Sequence, residues 1–316
     1  MSPTKALLSL VSPAGGKGRL TIFIFHRVLP QPDPIFPSEV DAVRFDKMMG
    51  WIKQWFNVLP LDSAVRRLKD ASLPACAAAI TFDDGYLDNC SVALPMLKRH
   101  GLTATFFIAT GYLDGGRMWN DTVIESVRAC PLATLDLSDL GLGRHPTANV
   151  AQKRTAIDAV IRQIKYLAVP QRAQLAEQIA QAVQVEPPNN LMMTSAQVLA
   201  LHRAGMQIGA HTVSHPILAR LTDEQAKQEI QGSKHFLEQL LGERVGLFAY
   251  PNGKPGEDYT PATVDVVRSL DFDAAVSTQW GASGVGADLL QLRRFTPWDR
   301  TRLRFGARLL TNFRKA

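Results

Sequence analysis

The chain is poor in cysteine and has no long apolar run, and each shortage removes a class of protein. Cys76, Cys90 and Cys130 are the three thiols in 316 residues, an odd number with no Cys-x-x-Cys pair. Neither a disulfide framework nor a thiolate zinc site is expected, and the three read as buried thiols. The apolar patch near the start (Ala6, Leu7, Leu8, Leu10 and Val11) is far shorter than the ~20 residues of a spanning helix, and no small-residue cleavage site precedes Gly15. A cytoplasmic or membrane-peripheral location is therefore the expectation. Internal repeats and low-complexity tracts are missing, which excludes solenoids and tandem arrays. Acidic residues run short in one place: from Arg293 onward, Arg293, Arg294, Arg300, Arg302, Arg304, Arg308, Arg314 and Lys315 face Asp299 alone, a net +7 in a chain of net +6. The basic charge belongs to the tail, and the near-neutral remainder offers no nucleic-acid surface.

What is present is a chain of 46% hydrophobic residues and mean hydropathy −0.04, enough for a full core in one domain. Short β-branched or aromatic runs at 20–28, 78–83, 103–109, 207–211, 246–250, 274–278 and 290–295 alternate with segments of helical period. Several of these runs are apolar throughout, as strands covered on both faces should be. The alternation predicts an α/β fold, a parallel sheet or (β/α) barrel. Thr194 with Gln197 and Thr222 with Gln225 fit capping boxes, Gly205 and Gly242 sit where helix-ending glycines belong, and Ala226, Ile230, Leu237, Leu240 and Leu241 form one apolar stripe.

Residues 131–190 break the rhythm. After a short hairpin near 135–142 come two helical patterns, marked by Ile157, Val160, Ile161 and Ile164 and by Leu175, Ile179, Ala182 and Val183, with Pro187-Pro188 ending the second. The expected organisation is an extension over 1–19, a barrel over 20–298 with a helical insertion at about 131–190 beside its mouth, and a basic helix over 299–316.

Four polar clusters fall where predicted strands end: His26-Arg27, Thr81-Phe82-Asp83-Asp84-Gly85-Tyr86, His211-Thr212-Val213-Ser214-His215 and Ala249-Tyr250-Pro251-Asn252-Gly253. In a parallel barrel those ends converge on one face, where active sites are built. Two adjacent carboxylates after an apolar strand call for a cation, although Asp-Gly is also a common solvated turn. His211 and His215 have the spacing of paired metal ligands, with Pro216 favouring a turn over a long helix. Two imidazoles and one carboxylate with open positions suit a catalytic divalent ion, zinc first and cobalt or nickel as alternatives.

Thr81-Phe82-Asp83-Asp84-Gly85 and His211-x-x-x-His215 together resemble two signatures of the polysaccharide deacetylases (carbohydrate esterase family 4, NodB-homology), over residues 20–295 with 131–190 outside the common core. The resemblance implies a distorted (β/α) barrel with fewer than eight strands. It further implies Asp83 as catalytic base, Asp84, His211 and His215 as metal ligands, and a backbone N–H near Asn252 as oxyanion donor, with Tyr250, Pro251 and Leu292 at the substrate.

Two departures narrow the reading. The usual histidine acid near the C-terminus is missing, since 290–295 reads Leu-Gln-Leu-Arg-Arg-Phe, and arginine cannot serve as an acid. Ile24-Phe25-His26-Arg27-Val28 resembles the opening strand of the circularly permuted poly-N-acetylglucosamine deacetylase branch, with Phe25 in place of tyrosine, and His26 is assigned as acid on that ground; the bland alternative is a histidine capping a strand. The arginine of the third signature is replaced by Ala249, and Arg294 or Arg293 is left to orient Asp83.

Trp119-Asn120-Asp121 and Trp280 could form a sugar-stacking wall or belong to the core, while His100, His145, His202 and His235 read as structural or exposed. The expected activity is metal-dependent removal of N-acetyl groups from an amino-sugar polysaccharide or lipid-linked glycan. A catalytically silent sugar-binding barrel is the rival, and a non-haem iron oxygenase conflicts with the strand–helix alternation. In the tail, Leu303, Ala307, Leu310 and Phe313 form a stripe. That helix either closes the barrel or lies on an anionic membrane surface.

Overall fold

A computed structural model describes residues 3–313. Its strands are β1 (Thr21–Phe25), β2 (Asn57–Val58), β3 (Ala77–Phe82), β4 (Thr105–Ile108), β5 (Thr134–Leu137), β6 (Gly143–Pro146), β7 (Gln207–Ala210), β8 (Leu247–Ala249), β9 (Ala274–Trp280) and β10 (Leu292–Arg294). All seven expected barrel strands are there, in the parallel order β1-β3-β4-β7-β8-β9-β10, with the short β2 added beside β3. A parallel bridge between Phe23 and Phe295, with Ile24 N–H donating to Phe295 O and Phe295 N–H to Ile22 O, brings the last strand back to the first. The result is a nearly closed seven-stranded barrel.

Period-two alternation divides the strand residues between two apolar layers. Ile22, Ala77, Ala79, Phe107, Leu247, Ala249, Val276 and Leu292 form the inner one. Gly209 belongs to this arrangement because a Cβ there would come within 2.5 Å of the Phe107 ring. The barrel floor is helix α3 (Leu61–Lys69), after α1 (Pro3–Val11) and α2 (Ala42–Trp55) in the chain. Leu61, Ala64, Val65 and Leu68 of α3 join the inner layer, and Gln207 Oε1, at the start of β7, accepts from Leu61 N–H at 2.6 Å. The alternate strand residues, among them Phe23, Phe25, Ile80, Phe82, Phe106 and Phe248, meet the surrounding helices.

Those helices are α4 (Leu94–His100), α5 (Trp119–Ala129), α6 (Val150–Ile164), α7 (Val169–Val183), α8 (Ser195–Arg203), α9 (Asp223–Leu241), α10 (Pro261–Ser269) and α11 (Arg302–Asn312). Both expected capping boxes close, at Thr194/Gln197 for α8 and Thr222/Gln225 for α9, and Gly242 ends α9 in the left-handed region. Leu240 and Leu241 are only half-buried, and Ser233 completes the α9 stripe in their place.

Residues 131–190 hold the β5–β6 hairpin and helices α6 and α7, which share with α5 a separate apolar cluster around Val123, Ile157 and Ile179. In α7 the buried stripe runs through Arg172, Ala176, Ile179 and Val183 and leaves Ala182 exposed, because position 182 lies off the arc that packs into the cluster shared with α5. Cys76 and Cys130 are buried free thiols as expected, but Cys90 is half-buried.

Helix α11 presents Phe305, Leu309 and Phe313 to the barrel, Phe305 sitting among Phe23, Trp55 and Phe295. Leu303 and Ala307 of the expected stripe are exposed instead, since the aromatic slot selects Phe305 and so sets the helix's rotation. Arg314 and Lys315 lie outside the described residues. No helix among the described residues is long and apolar enough to cross a membrane.

Candidate active site

The four strands end directly before their polar clusters (β1, β7) or within the first residues of them (β3, β8), and the loops after them converge. Thr81 is the last inward hydroxyl of β3, donating to Phe23 O at 2.8 Å. Asp83 N–H then donates to Phe25 O, and the chain turns through left-handed conformations at Asp84 (φ 77°) and Gly85 (φ 91°). That turn separates the two carboxylates. The Asp83 carboxylate faces Arg294 of β10, whose guanidinium makes two parallel 2.7 Å hydrogen bonds to it while Nε donates to Ser277 O at 2.8 Å. Both side chains are essentially sealed from solvent, at 0% and 3% exposure. Of the two adjacent arginines, it is Arg294 that reaches Asp83. Burial alone would raise the Asp83 pKa, but Arg294 beside it outweighs burial and holds it below the usual carboxylate range.

The Asp84 carboxylate points the other way, with Oδ1 at 3.4 Å from His211 Nε2 and 3.5 Å from His215 Nε2. Oδ1 is buried and accepts no hydrogen bond. Such an orphaned oxygen costs ~1–3 kcal/mol unless something cationic completes it. With His211 and His215 each offering a ring nitrogen, the three donor atoms lie within 4.8 Å of one another, close enough to share one ion. The His211 Nδ1–H donates to Ala249 O at 2.7 Å, which fixes the tautomer that leaves Nε2 a lone pair. Burial pushes His215 down to about 4, so it is neutral at neutral pH. His211 is buried too, yet Asp84 and Asp83 raise its pKa: the centre attracts positive charge, whether a proton or a metal ion. The residues present fit a divalent ion.

His211 and His215 are not on a helix. Thr212 (φ 65°) and His215 (φ 51°) fold the segment into a tight turn that Glu229 of α9 holds from behind, accepting from Val213 N–H (2.9 Å), Ser214 N–H (2.8 Å) and Ser214 Oγ (2.6 Å). Tyr112 Oη adds a bond to Ser214 O. Glu229 was not singled out from sequence, although a carboxylate three residues after Ala226 and one before Ile230 interrupts an apolar stripe and so carried a signal.

A cleft of about 340 Å³ opens beside Asp84, lined by His26, Arg27, Tyr86, Asn120 and Asp121, with Phe36 and Arg128 further out. His26 is exposed in it. Its backbone is anchored: Asn89 Nδ2 donates to His26 O at 2.8 Å, and Asp88 accepts from Val28 N–H (2.9 Å) and Arg27 Nε (2.8 Å). Phe25 is buried against Phe45 and Phe82. Burial, with Asp84 and Glu125 nearby, pushes Asp121 up to about 7, against the pull of Arg27 and of the Tyr86 hydroxyl that donates to it at 3.1 Å. Asp88 and Asn89, a few residues after the Asp83-Asp84 motif, were also passed over, and Tyr86 was noted only as a member of its cluster.

Several residues expected at the substrate lie elsewhere. Trp119 packs into the α5–α7 cluster under the Arg172 guanidinium, at 4.7 Å, because its place on α5 faces the insertion; Asn120 and Asp121 face the cleft instead. Trp280 is half-buried, tilted against Phe295 at the edge of the core. Tyr250 is wholly buried, stacked on Tyr259 at 3.9 Å with its hydroxyl donating to Leu290 O. Leu292 belongs to the inner barrel layer. Pro251 and Asn252 form the turn after β8, Asn252 in the left-handed region (φ 57°) with Asn252 O accepting from Thr278 Oγ1. The four peripheral histidines do have partners: His100 meets Asp46, His202 Glu243, His235 Gln239 and His145 the Leu142 carbonyl.

The polysaccharide deacetylase family model matches residues 71–133 and 175–275, and the interval it skips contains the hairpin and α6. The provisionally named polysaccharide deacetylase YxkH of Bacillus subtilis (strain 168) is 20% identical over 293 residues, 92% of this chain and 74% of that protein. Among solved structures, the Streptococcus pyogenes deacetylase PplD in complex with acetate superposes with a TM-score of 0.62 at 20% identity, covering 93% of this chain and 98% of its own. IcaB from Ammonifex degensii gives 0.60 at 17%, covering 96% and 99%. Identities this low establish a shared fold for those structures. The family model, matching over half of the residues and including Asp83, Asp84, His211 and His215, goes further: this chain belongs to the polysaccharide deacetylase family.

Proposed function

We propose that the protein hydrolyses the acetamide of an N-acetylated amino sugar, in a polysaccharide or a lipid-linked glycan, with a divalent ion, zinc first, held by Asp84, His211 and His215. The observation that carries this reading is the orphaned Asp84 Oδ1 at 3.4–3.5 Å from two imidazole nitrogens, one of them fixed by Ala249 O in the ligating tautomer. An ion bound there supplies Lewis-acid polarisation of the acetyl oxygen and a nucleophile at neutral pH.

The chain's own groups do the rest. Asp83, held ionised by Arg294, keeps lone pairs beyond the two bonds to the guanidinium and can take the proton of the attacking water. His26, facing the cleft from the end of β1, is placed to protonate the departing amine nitrogen. Water and amide are thereby converted to acetate and a free amino sugar. The turn at Asn252 supports its N–H as the donor to the developing oxyanion. The cleft, at the small end of ligand sites, suits one sugar residue, with Asn120 and Asp121 as its polar wall.

Acetate release from N-acetylhexosamine oligomers and lipid-linked amino sugars, with chelator and after adding metal back, tests the proposal. Activity lost to chelation, restored by zinc, cobalt or nickel, and abolished by His211→Ala or His215→Ala with loss of bound metal is expected. Release unaffected by chelator, or full metal occupancy in the double histidine variant, overturns it.

A further inference from the structure

Helix α1 lies between two grooves that differ in character. On one side a groove of about 580 Å³ runs between α1 and α11, lined by Leu7, Leu8, Leu303, Ala307 and Leu310 with Trp55 at its base, and Arg302 is its one charged residue. On the other side a larger hollow of about 830 Å³ is lined by Leu10 and Val11, by the Gly284–Gly286 loop, and by the cations Lys17, Arg19 and Arg293. Asp288 is the single carboxylate there, and its two oxygens already accept from the Leu290 N–H and the Gln291 side-chain amide.

Both helices are committed to the core by one face only. Leu8 in α1, and Phe305 and Leu309 in α11, are completely buried, whereas Leu7, Leu10, Val11 and Leu303 stand 48%, 79%, 39% and 86% exposed. Val285, 48% exposed, adds an apolar side chain to the glycine loop. Large aliphatic side chains exposed together in this way, rimmed by cations, mark a contact surface.

We infer that this flank, built from α1 and α11 with the 284–286 loop between β9 and β10, is a docking face for an anionic lipid bilayer. Leu7, Leu10, Val285 and Leu303 enter the interface, and Lys17, Arg19, Arg293 and Arg302 meet the headgroup phosphates. The charge complementarity decides between occupants. A second copy of this chain would bring the same cations against themselves, since a two-fold interface apposes like patches, whereas phosphates of an anionic leaflet neutralise them. The apolar stem and basic rim also follow the design of helices that lie in a membrane interface. This adds to the tail a second helix and a basic hollow that composition alone does not connect with it.

Co-sedimentation of the full chain with vesicles of phosphatidylcholine alone, and of phosphatidylcholine with phosphatidylglycerol, tests the inference. Expected is binding to the anionic vesicles at least ~10-fold tighter than to the neutral ones, weakened several-fold at 0.5 M salt (a condition chosen at about 3–5 times physiological ionic strength). Leu7→Glu/Leu303→Glu should lower anionic binding ~10-fold or more, and Lys17→Glu/Arg19→Glu should abolish the preference for anionic lipid. All four positions lie at the surface, and an unchanged melting temperature and circular dichroism spectrum will show that the fold is intact. Absence of vesicle binding by the unaltered protein, equal binding to both kinds, or undiminished binding by both double variants would falsify the inference. So would a concentration-dependent dimer in sedimentation equilibrium that Leu7→Glu/Leu303→Glu dissociates, because the apolar face would then be covered by another copy.

Discussion

Replacing Arg294 with methionine should be the most damaging single change available around Asp83, the proposed base. The guanidinium donates two 2.7 Å bonds to Asp83, one of 2.8 Å to Ser277 O and one of 3.3 Å to Thr81 Oγ1, in a place with no solvent to take over. Methionine refills much of the volume, so the loss is electrostatic. A buried carboxylate stripped of its partner costs ~3–5 kcal/mol, several times what an exposed ion pair contributes. At ~2–4 °C per kcal/mol for a chain of this size, the melting temperature should fall by roughly 6–20 °C. The cause can be isolated by removing the carboxylate charge as well: Asp83→Asn/Arg294→Met should recover most of the lost stability, while remaining inactive for want of a base. Thermal melts of the two single variants and the double variant give the coupling directly. If Arg294→Met costs less than about 1 kcal/mol, or if the double variant is as unstable as the two single losses added together, then Arg294 does not hold the base in place and the reasoning fails.

His26→Ala should leave stability unchanged and lower turnover on N-acetyl substrates by ~10²–10⁴-fold, while an aryl acetate, whose leaving group needs no proton, should be hydrolysed nearly as before. Equal losses on amide and ester would remove His26 from the acid role. Glu229→Ala, which frees Val213 N–H, Ser214 N–H and Ser214 Oγ together, should weaken metal retention by ~10–100-fold in competition with a chelator, and Glu229→Gln should do so less; unchanged retention would make the Glu229 contacts incidental. Asp121 should make the protein less stable as pH rises. Its folded-state pKa of about 7 lies above the ordinary 3.8, so the native state holds a proton that the unfolded chain releases, and stability present below about pH 4 is lost progressively up to about pH 7. The decline is at most ~4 kcal/mol, and Asp121→Asn should flatten that part of the melting-temperature profile; identical profiles for the two proteins would refute it.

Much of this molecule is legible in the residue order because its strands are buried on both faces. Continuous apolar runs such as Ala77–Phe82 need no partner information to be read, and the capping boxes at Thr194 and Thr222 are local chemistry. What escaped is whatever depends on the rotation of an element about its own axis. Helix α11 has two apolar stripes, one through Leu303 and Ala307 and one through Phe305 and Leu309, and periodicity cannot say which meets the barrel when both are present. Only the aromatic slot of Phe23, Trp55 and Phe295 decides it. The same ambiguity misplaced Trp119, whose neighbours Asn120 and Asp121 take the cleft, and Tyr250, which a side-chain reading of the third motif assigns to substrate although it stacks on Tyr259 behind the sheet. Arg293 and Arg294, adjacent in sequence, could not be told apart until alternation along β10 sent one inward to Asp83 and the other to the surface hollow.

The spacing of His211 and His215 shows a subtler limit, since Pro216 points to a turn but residue order does not say how that turn is built. Four residues separate two side chains on one face of a helix, but here His211 directly follows β7 and the chain reverses through Thr212 at φ 65° to His215, itself at φ 51°. Such backbone costs of order 1 kcal/mol or more at a β-branched threonine, and persists only where the surroundings over-determine it. They do so here: Thr212 Oγ1 accepts from His215 N–H at 3.1 Å, Thr212 O from Thr110 N–H, and Glu229 clamps the two residues between. Of the nine non-glycine residues with positive φ among the described residues, four (Asp84, Thr212, His215 and Asn252) lie in the three loops that build the site. Strained backbone is therefore concentrated where strand ends must turn their side chains toward one point, bringing a carboxylate oxygen of Asp84 and ring nitrogens of His211 and His215 within 4.8 Å of one another. A helix would have presented the two imidazoles without strain, yet it could not have left His211 in register with β7, where its Nδ1–H reaches the Ala249 carbonyl of the neighbouring strand and sets the tautomer. The strained turn is what allows one histidine to be part of the barrel and the other to close over it.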